Sequence, residues 1–145
     1  MSDTKSGFSA DERAAMAQRA EELRSTKGLK GAAKQAAELE ACIAAIDALT
    51  GTDREVATLL HRVGTAEAPQ LAPKTWYGFP SYAREGKVVV FYQPASKFDT
   101  RYGTVGFQED ALLDDGDMWA TSFAVVAVTP AVEKTLRELV ARSVG

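Results

Sequence analysis

The stretch that decides the fold is residues 74–93, KTWYGFPSYAREGKVVVFYQ, where several aromatic side chains lead into an apolar run. Gly78 tolerates either sign of φ, and Pro80 disfavours helix at the residue before it, so the chain should kink there. Glu85-Gly86 is a two-residue turn signal between two strand-forming runs. The stretch therefore predicts a β-hairpin whose first arm is bent.

The second arm of this hairpin carries the run VVVFY at residues 88–92. The run is β-branched and aromatic and does not alternate with polar residues, which is typical of a central strand covered on both faces. Core packing is the simplest role for Trp76, Tyr77, Tyr82 and Tyr92. The alternative role is a ligand-binding aromatic cage.

The N-terminal part predicts one amphipathic helix that stands apart from the rest. Ser9 and Glu12 form a capping box, which opens a helix to about Thr26. Its apolar face is thin, with Met16 and Leu23 among charged residues, so the helix should pack on the surface or on a partner, including a second copy. Residues 1–27 are therefore assigned to an N-terminal extension.

Two further helices are predicted before the hairpin, over about residues 32–49 and 53–66. The first should bury a stripe made by Leu39, Ile43 and Ile46, with Cys42 beside it as a small core residue. Thr52 and Glu55 form a second capping box. The second helix should bury its apolar face and present His61 on its polar side; that face comprises Val56, Leu59, Leu60 and Val63.

After the hairpin, two more strands are expected at about residues 101–108 and 118–128. Thr129 as N-cap and Pro130 at the first helical position then start a C-terminal helix. This helix should bury Val132, Leu136, Leu139 and Val140. Residues 28–145 thus predict a single α+β domain, with N-terminal helices and one C-terminal helix packed on an antiparallel sheet of about four to five strands.

Composition narrows the class of protein. The formal net charge is −3 and the pI is about 5.2, which argues against a nucleic-acid binder. No apolar run reaches the length of a membrane span, and residues 1–5 lack a signal-peptide core. Cys42 is the only cysteine, so a disulfide within the chain is excluded. A reducing, cytoplasmic location is expected.

Catalytic templates are absent from the sequence. It contains no nucleophile elbow, phosphate loop, dinucleotide fingerprint or zinc-protease motif. With one histidine and one cysteine, an enzyme would have to use carboxylates, tyrosines or lysines. The sequence favours a non-catalytic protein and leaves such an enzyme open.

A ligand site is suggested by cations in and after the hairpin, namely Lys74, Arg84, Lys87, Lys97 and Arg101. Lys97 and Arg101 beside aromatic rings would suit a small anion or a planar acidic ligand. Gly103 and Gly106 would leave room above the sheet. The predicted ligand-binding residues are Trp76, Tyr77, Tyr82, Tyr92, Lys97, Arg101 and Trp119.

The segment from Trp76 to Tyr82, together with Lys97, Gly106-Phe107 and Trp119, resembles the signature of the YdhG-like family. The resemblance covers about residues 42–141. That bacterial family of unknown function is often labelled a frataxin-like iron chaperone. The resemblance implies helices laid against an antiparallel sheet, with iron as a candidate cofactor bound weakly through exposed carboxylates. The ligands would be Asp110, Asp114, Asp115 and Asp117, although the same aspartates suit an ordinary solvated turn.

The expected function is that of a non-catalytic binding protein of the YdhG-like type, linked to iron handling. One alternative is a protein that binds a small anionic ligand in an aromatic and basic pocket over the sheet. The other alternative is a protein-interaction module that uses its first helix.

Overall fold

The computed structural model describes residues 7–145, which form helices packed on one antiparallel sheet. The helices are α1 (Ala10–Ser25), α2 (Gly31–Asp47), α3 (Gly51–Glu67), the short α4 (Ala95–Phe98) and α5 (Pro130–Ser143). The strands are β1 (Ala72–Trp76), β2 (Phe79–Arg84), β3 (Lys87–Gln93), β4 (Gly103–Phe107) and β5 (Ser122–Val125). The predicted α+β class is confirmed.

The sheet has the simplest antiparallel order, β1-β2-β3-β4-β5, with β3 in the middle as predicted. The expected bent arm is in fact two strands, because Tyr77 and Gly78 make a turn with φ values of +56° and +82°. The Glu85-Gly86 turn that joins β2 to β3 is confirmed. The last strand is shorter than predicted.

The main core lies between α2, α3 and α5 and one face of the sheet. Tyr82, Val90, Tyr92 and Val105 occupy neighbouring positions on this face and are almost fully buried. Cys42 is completely buried against them, which confirms its assignment to the core. The predicted buried residues of α3 are also confirmed.

Two details of the helix predictions are wrong. Leu39 and Ile43 remain 38% and 42% exposed, because the face of α2 that meets the sheet runs through Cys42 and Ile46. Thr52 does not cap α3, since the helix already begins at Gly51 after an N-cap at Thr50.

The helix starts at Ser9 and Thr129 are confirmed. Both side chains of the Ser9–Glu12 capping box are in place, and Thr129 accepts a hydrogen bond from the backbone N–H of Val132. Within residues 7–145, no helix combines the length and the apolar character that a membrane span requires.

Candidate functional site

The face of the sheet opposite the main core carries an aromatic cluster, defined by Trp76, Tyr77, Phe79, Phe91 and Phe98. Strand pairing places Trp76 beside Phe79, and the ring centroids of Phe79 and Phe91 are 6.1 Å apart. The Trp76 ring meets the edge of Phe91 at 5.5 Å. Phe79 is buried, whereas the other four rings are half-buried, so the cluster is open to solvent along one side.

A cleft of about 250 Å³ opens beside Trp76, and we call it the Trp76 cleft. Its lining combines the Trp76 ring with three cations, Arg19 from α1, Lys74 from β1 and Lys87 from β3. Glu109 and Asp110 contribute two carboxylates. Positive groups therefore outnumber negative groups here, in a chain whose net charge is −3.

Each of these cations has one carboxylate nearby. Lys74 Nζ lies 3.5 Å from Glu38, and both side chains are less than one-fifth exposed. Arg19 pairs with Glu22 at 3.3 Å. Lys87 is 77% exposed and lies 4.0 Å from Asp110, so this pair is screened and weak. Lys87 is thus the cation most available to a ligand.

The structure separates the predicted ligand-binding residues instead of gathering them. Trp76 and Tyr77 belong to the aromatic cluster, whereas Tyr82 and Tyr92 are buried in the main core on the other face. Arg101 lies over the ring of its neighbour Tyr102, 5.3 Å from the centroid. Trp119 stands in the segment between β4 and β5 and is 39% exposed. Among the seven, Trp76 is the one that lines the Trp76 cleft.

The space expected above Gly103 and Gly106 is already filled. A Cβ atom on Gly103 would lie 2.0 Å from the hydroxyl oxygen of Tyr92, and one on Gly106 would lie 2.4 Å from the Phe91 ring. Glycine is required at both positions because the rings of β3 rest directly on the backbone of β4. These glycines therefore serve packing and leave no ligand space.

Lys97 lies at the rim of a second cavity, a groove of about 610 Å³ between α1 and α2. The floor of this groove is lined by alanines of α2 and by its C-cap residue, namely Ala41, Ala44, Ala45 and Ala48. Glu21 and Glu22 of α1 also line it, so two carboxylates face one cation. The groove is accordingly a poorer place for an anion than the Trp76 cleft.

Asp53, near the start of α3, forms a buried carboxylate clamp that the sequence did not reveal. It accepts hydrogen bonds from the Tyr92 hydroxyl at 2.6 Å and from the backbone N–H groups of Ala95 and Ser96 at 2.9 and 3.0 Å. Burial alone would raise the pKa of Asp53, but these donors outweigh it and hold the pKa below the usual value. The clamp fixes α4 against the core.

The clamp also explains Tyr92, whose pKa is raised by burial and by the adjacent Asp53 carboxylate. Its hydroxyl is committed as a donor to Asp53 and is fully enclosed. Tyr92 is therefore a structural residue of the core.

A second polar connection in the core joins His61, Tyr82 and Cys42. His61 was expected on the polar side of α3, but its side chain is half-buried. Its Nδ1 lies 3.0 Å from the hydroxyl oxygen of Tyr82. Burial lowers the pKa of His61 and raises the pKa of the Cys42 thiol to about 11. The thiol stays protonated at neutral pH and has no solvent exposure, so it is not a nucleophile.

The four aspartates proposed as iron ligands are all exposed. Asp110 lies near Lys87, while the other three stand at Asp114, Asp115 and Asp117 in the segment after β4. Within the described range 7–145, no three His, Cys, Asp or Glu side chains come close enough to hold a metal ion. The geometry thus offers iron no preformed set of ligands.

Helix α1 reaches the sheet through Glu22, whose side chain is 11% exposed. Its carboxylate oxygens accept hydrogen bonds from the backbone N–H groups of Tyr77 and Gly78, at 3.1 and 2.7 Å. The side chain of Gln18 covers Gly78. This contact places Arg19 in the Trp76 cleft.

Sequence patterns did not single out Arg19 and Glu22 because both belong to a helix surface rich in charges. The signal that existed was the tight turn at Tyr77-Gly78, whose two N–H groups need an acceptor.

Comparison with family models, with curated proteins and with solved structures finds no match to this chain. The likeness to the YdhG-like family stays a prediction.

Proposed function

We propose that the chain is a non-catalytic binding protein of the YdhG-like type that takes a small anionic ligand in the Trp76 cleft. The observation that carries the proposal is the meeting of Arg19, Lys74 and Lys87 beside one aromatic wall. A ligand with a flat ring and a carboxylate or phosphate group would place the ring against Trp76 and the charge among the cations.

Among the side chains that line the cleft itself, three are positive and two are negative, which favours an anion over a cation. The carboxylates nearest Lys74 and Arg19, those of Glu38 and Glu22, lie outside the lining of the cleft. Lys87 contributes a long, solvated side chain that can turn towards a bound anion. Part of the attraction is exposed to solvent, so we expect affinity to fall with increasing salt.

The size of the cleft limits the ligand class. About 250 Å³ is just below the usual range of small-molecule sites, which begins at about 300 Å³, so the cleft suits no more than one aromatic ring or a short dicarboxylate. The iron-handling expectation has no comparable support, because the four exposed aspartates are not gathered with other ligands among the described residues. The anionic ligand is therefore the function that the geometry favours.

Tryptophan fluorescence offers a direct test because the chain contains two tryptophans, Trp76 and Trp119. In the Trp119→Phe variant, Trp76 is the sole tryptophan reporter. Titration with benzoate, phthalate and inorganic phosphate should change its emission in a saturable way. The matched Trp76→Phe variant retains Trp119, which lies outside the cleft and should not respond.

Charge variants test whether the anion binds in the Trp76 cleft. Lys87→Gln should weaken binding about fivefold, the effect of losing one partly solvated charge contact. Lys97→Gln and Arg101→Gln remove cations elsewhere and should leave affinity unchanged. If none of the anions changes the Trp76 emission or the melting temperature, the proposal is wrong; equal losses in all three variants would place the site elsewhere.

A further inference from the structure

Helix α1 is docked on the rest of the chain with few contacts. None of its residues is buried, and the apolar side chains of Met16 and Leu23 are 45% and 56% exposed. Glu22 holds it to the turn N–H groups of Tyr77 and Gly78, and Gln18 covers Gly78. Between α1 and α2 the alanine-floored groove remains unfilled. The helix can therefore leave without opening the main core.

The linker between α1 and α2, residues 26–30, can accommodate such a change. Gly28 and the first residue of α2, Gly31, have φ values of +83° and +58°. Among residues 7–145, a Cβ placed on either glycine would meet nothing within 4 Å, so both glycines lie in open space, and glycine tolerates either sign of φ. Five extended residues span about 17 Å, enough to carry α1 away from its own turn.

We propose that the docking site of α1 also accepts α1 of a second copy, so that two chains exchange their first helices. The site consists of the N–H groups of Tyr77 and Gly78 and the backbone of Gly78, which the side chain of Gln18 covers. A second copy is the occupant because its α1 repeats every contact that the chain makes with itself, including both hydrogen bonds to Glu22. Exchange of this kind is a low-cost route to a dimer.

Exchange has a consequence for the Trp76 cleft, and this step rests on the function proposed above. Arg19 lies on α1, three residues before Glu22, and lines that cleft. In an exchanged pair, Arg19 of one chain completes the cleft of the other. The ligand would then bind at a site built from two copies.

A disulfide can report which chain supplies α1 to each turn. A Cβ on Gly78 would lie 3.6 Å from Cβ of Gln18, within the range of disulfide-bonded pairs. In the Gln18→Cys/Gly78→Cys variant, oxidation links two chains if helices are exchanged and closes a loop within one chain if they are not. The native Cys42 is fully buried and should not compete.

We expect a covalent dimer on a non-reducing gel, with a fraction that rises when the protein is concentrated before oxidation. The two single-cysteine variants should give none under the same conditions. A bond formed only within one chain at every concentration overturns the proposal. This readout involves no ligand, so it is independent of whether the Trp76 cleft binds anions.

A second variant avoids the strain of cysteine at the positive φ of Gly78. Deleting residues 26–30 joins Ser25 directly to Gly31 and leaves no linker with which α1 could fold back on its own chain, which should convert the chain to a dimer by light scattering. Adding Glu22→Gln to the deletion should raise the dimer dissociation constant about tenfold, because the turn loses its charged acceptor. Glu21→Gln is the matched control, since Glu21 pairs with Arg24 on its own helix.

Hydrogen exchange then checks where α1 lies in the shortened chain. Amides of residues 10–25 should keep the protection they have in the full chain. A monomer in which these amides exchange freely would show that the docking site does not accept α1 from a second copy.

Discussion

Two carboxylates in this protein accept the same pattern of backbone hydrogen bonds in different surroundings. Asp53 and Glu22 each accept two consecutive backbone N–H groups, from Ala95 and Ser96 in one case and from Tyr77 and Gly78 in the other. Asp53 also accepts the Tyr92 hydroxyl and sits on α3, which is packed into the core. Glu22 sits on α1, where no residue is buried.

The difference shows that a hydrogen-bond pattern does not by itself define how firmly a segment is held. The Asp53 clamp can break only if the core around α3 opens, because the carboxylate and its hydroxyl donor are enclosed there. The Glu22 contact can break by local movement of α1 alone. One region is therefore a permanent part of the fold, and the other is suited to exchange between two states.

The largest effect is expected for Asp53→Ala. Its removal leaves the Tyr92 hydroxyl and two N–H groups without an acceptor inside the protein, which should lower the free energy of unfolding by about 3 kcal/mol or more. Denaturant unfolding measures this change. Asp47→Ala is the control, because that exposed aspartate makes a 3.7 Å surface pair with Arg54, and its loss should cost less than about 0.5 kcal/mol.

A smaller effect is expected for Tyr92→Phe, which removes one of the three donors to Asp53. The free energy of unfolding should fall by about 1–2 kcal/mol, since the carboxylate keeps both N–H groups. Tyr102→Phe, at an exposed tyrosine, should have no measurable effect. Equal stability of the two phenylalanine variants would contradict the clamp.

The Asp53 clamp should also affect how the free energy of unfolding changes with pH in acid. Its folded-state pKa lies below that of an unfolded aspartate, so its contribution is complete above the usual value of about 3.9 and is lost as pH falls through the lower folded value. Unfolding free energies measured as pH is lowered should therefore fall less steeply in Asp53→Asn than in the native chain. Identical slopes in acid would show that Asp53 is not stabilised as a carboxylate.

The smallest change in global stability is expected for Glu22→Gln, below about 1 kcal/mol, because α1 can detach before the core unfolds. Its effect should appear locally, as faster hydrogen exchange in residues 10–25. If Glu22→Gln lowered the free energy of unfolding as much as Asp53→Ala, the two carboxylates would not differ in the way described above. Glu21→Gln should change neither measurement.

Much of the fold could be predicted from local patterns. The run at residues 88–92 identified the central strand, and Ser9 and Thr129 marked helix starts, because each signal depends on neighbours close in sequence. Leu39 and Ile43 were assigned to the core wrongly, since periodicity finds an apolar stripe but not the rotation of the helix on the sheet.

The candidate site was predicted less well because it joins residues far apart in the chain. Lys74, Lys87 and Trp76 were noticed as charged or aromatic residues, but the pattern could not show that they share a cleft with Arg19. Tyr82 and Tyr92 were grouped with them, although alternation along β2 and β3 turns both into the core. A one-residue difference in register decides which face a strand residue occupies.

The sequence by itself determined the elements of this protein, since helix caps, tight turns and strand-forming runs depend on interactions over a few residues. Only the tertiary structure decided which polar groups meet. Asp53 finds Tyr92 39 residues away, and Glu22 finds Tyr77 55 residues away. Such pairings follow from the packing of helices on the sheet, which fixes distances that no local pattern contains.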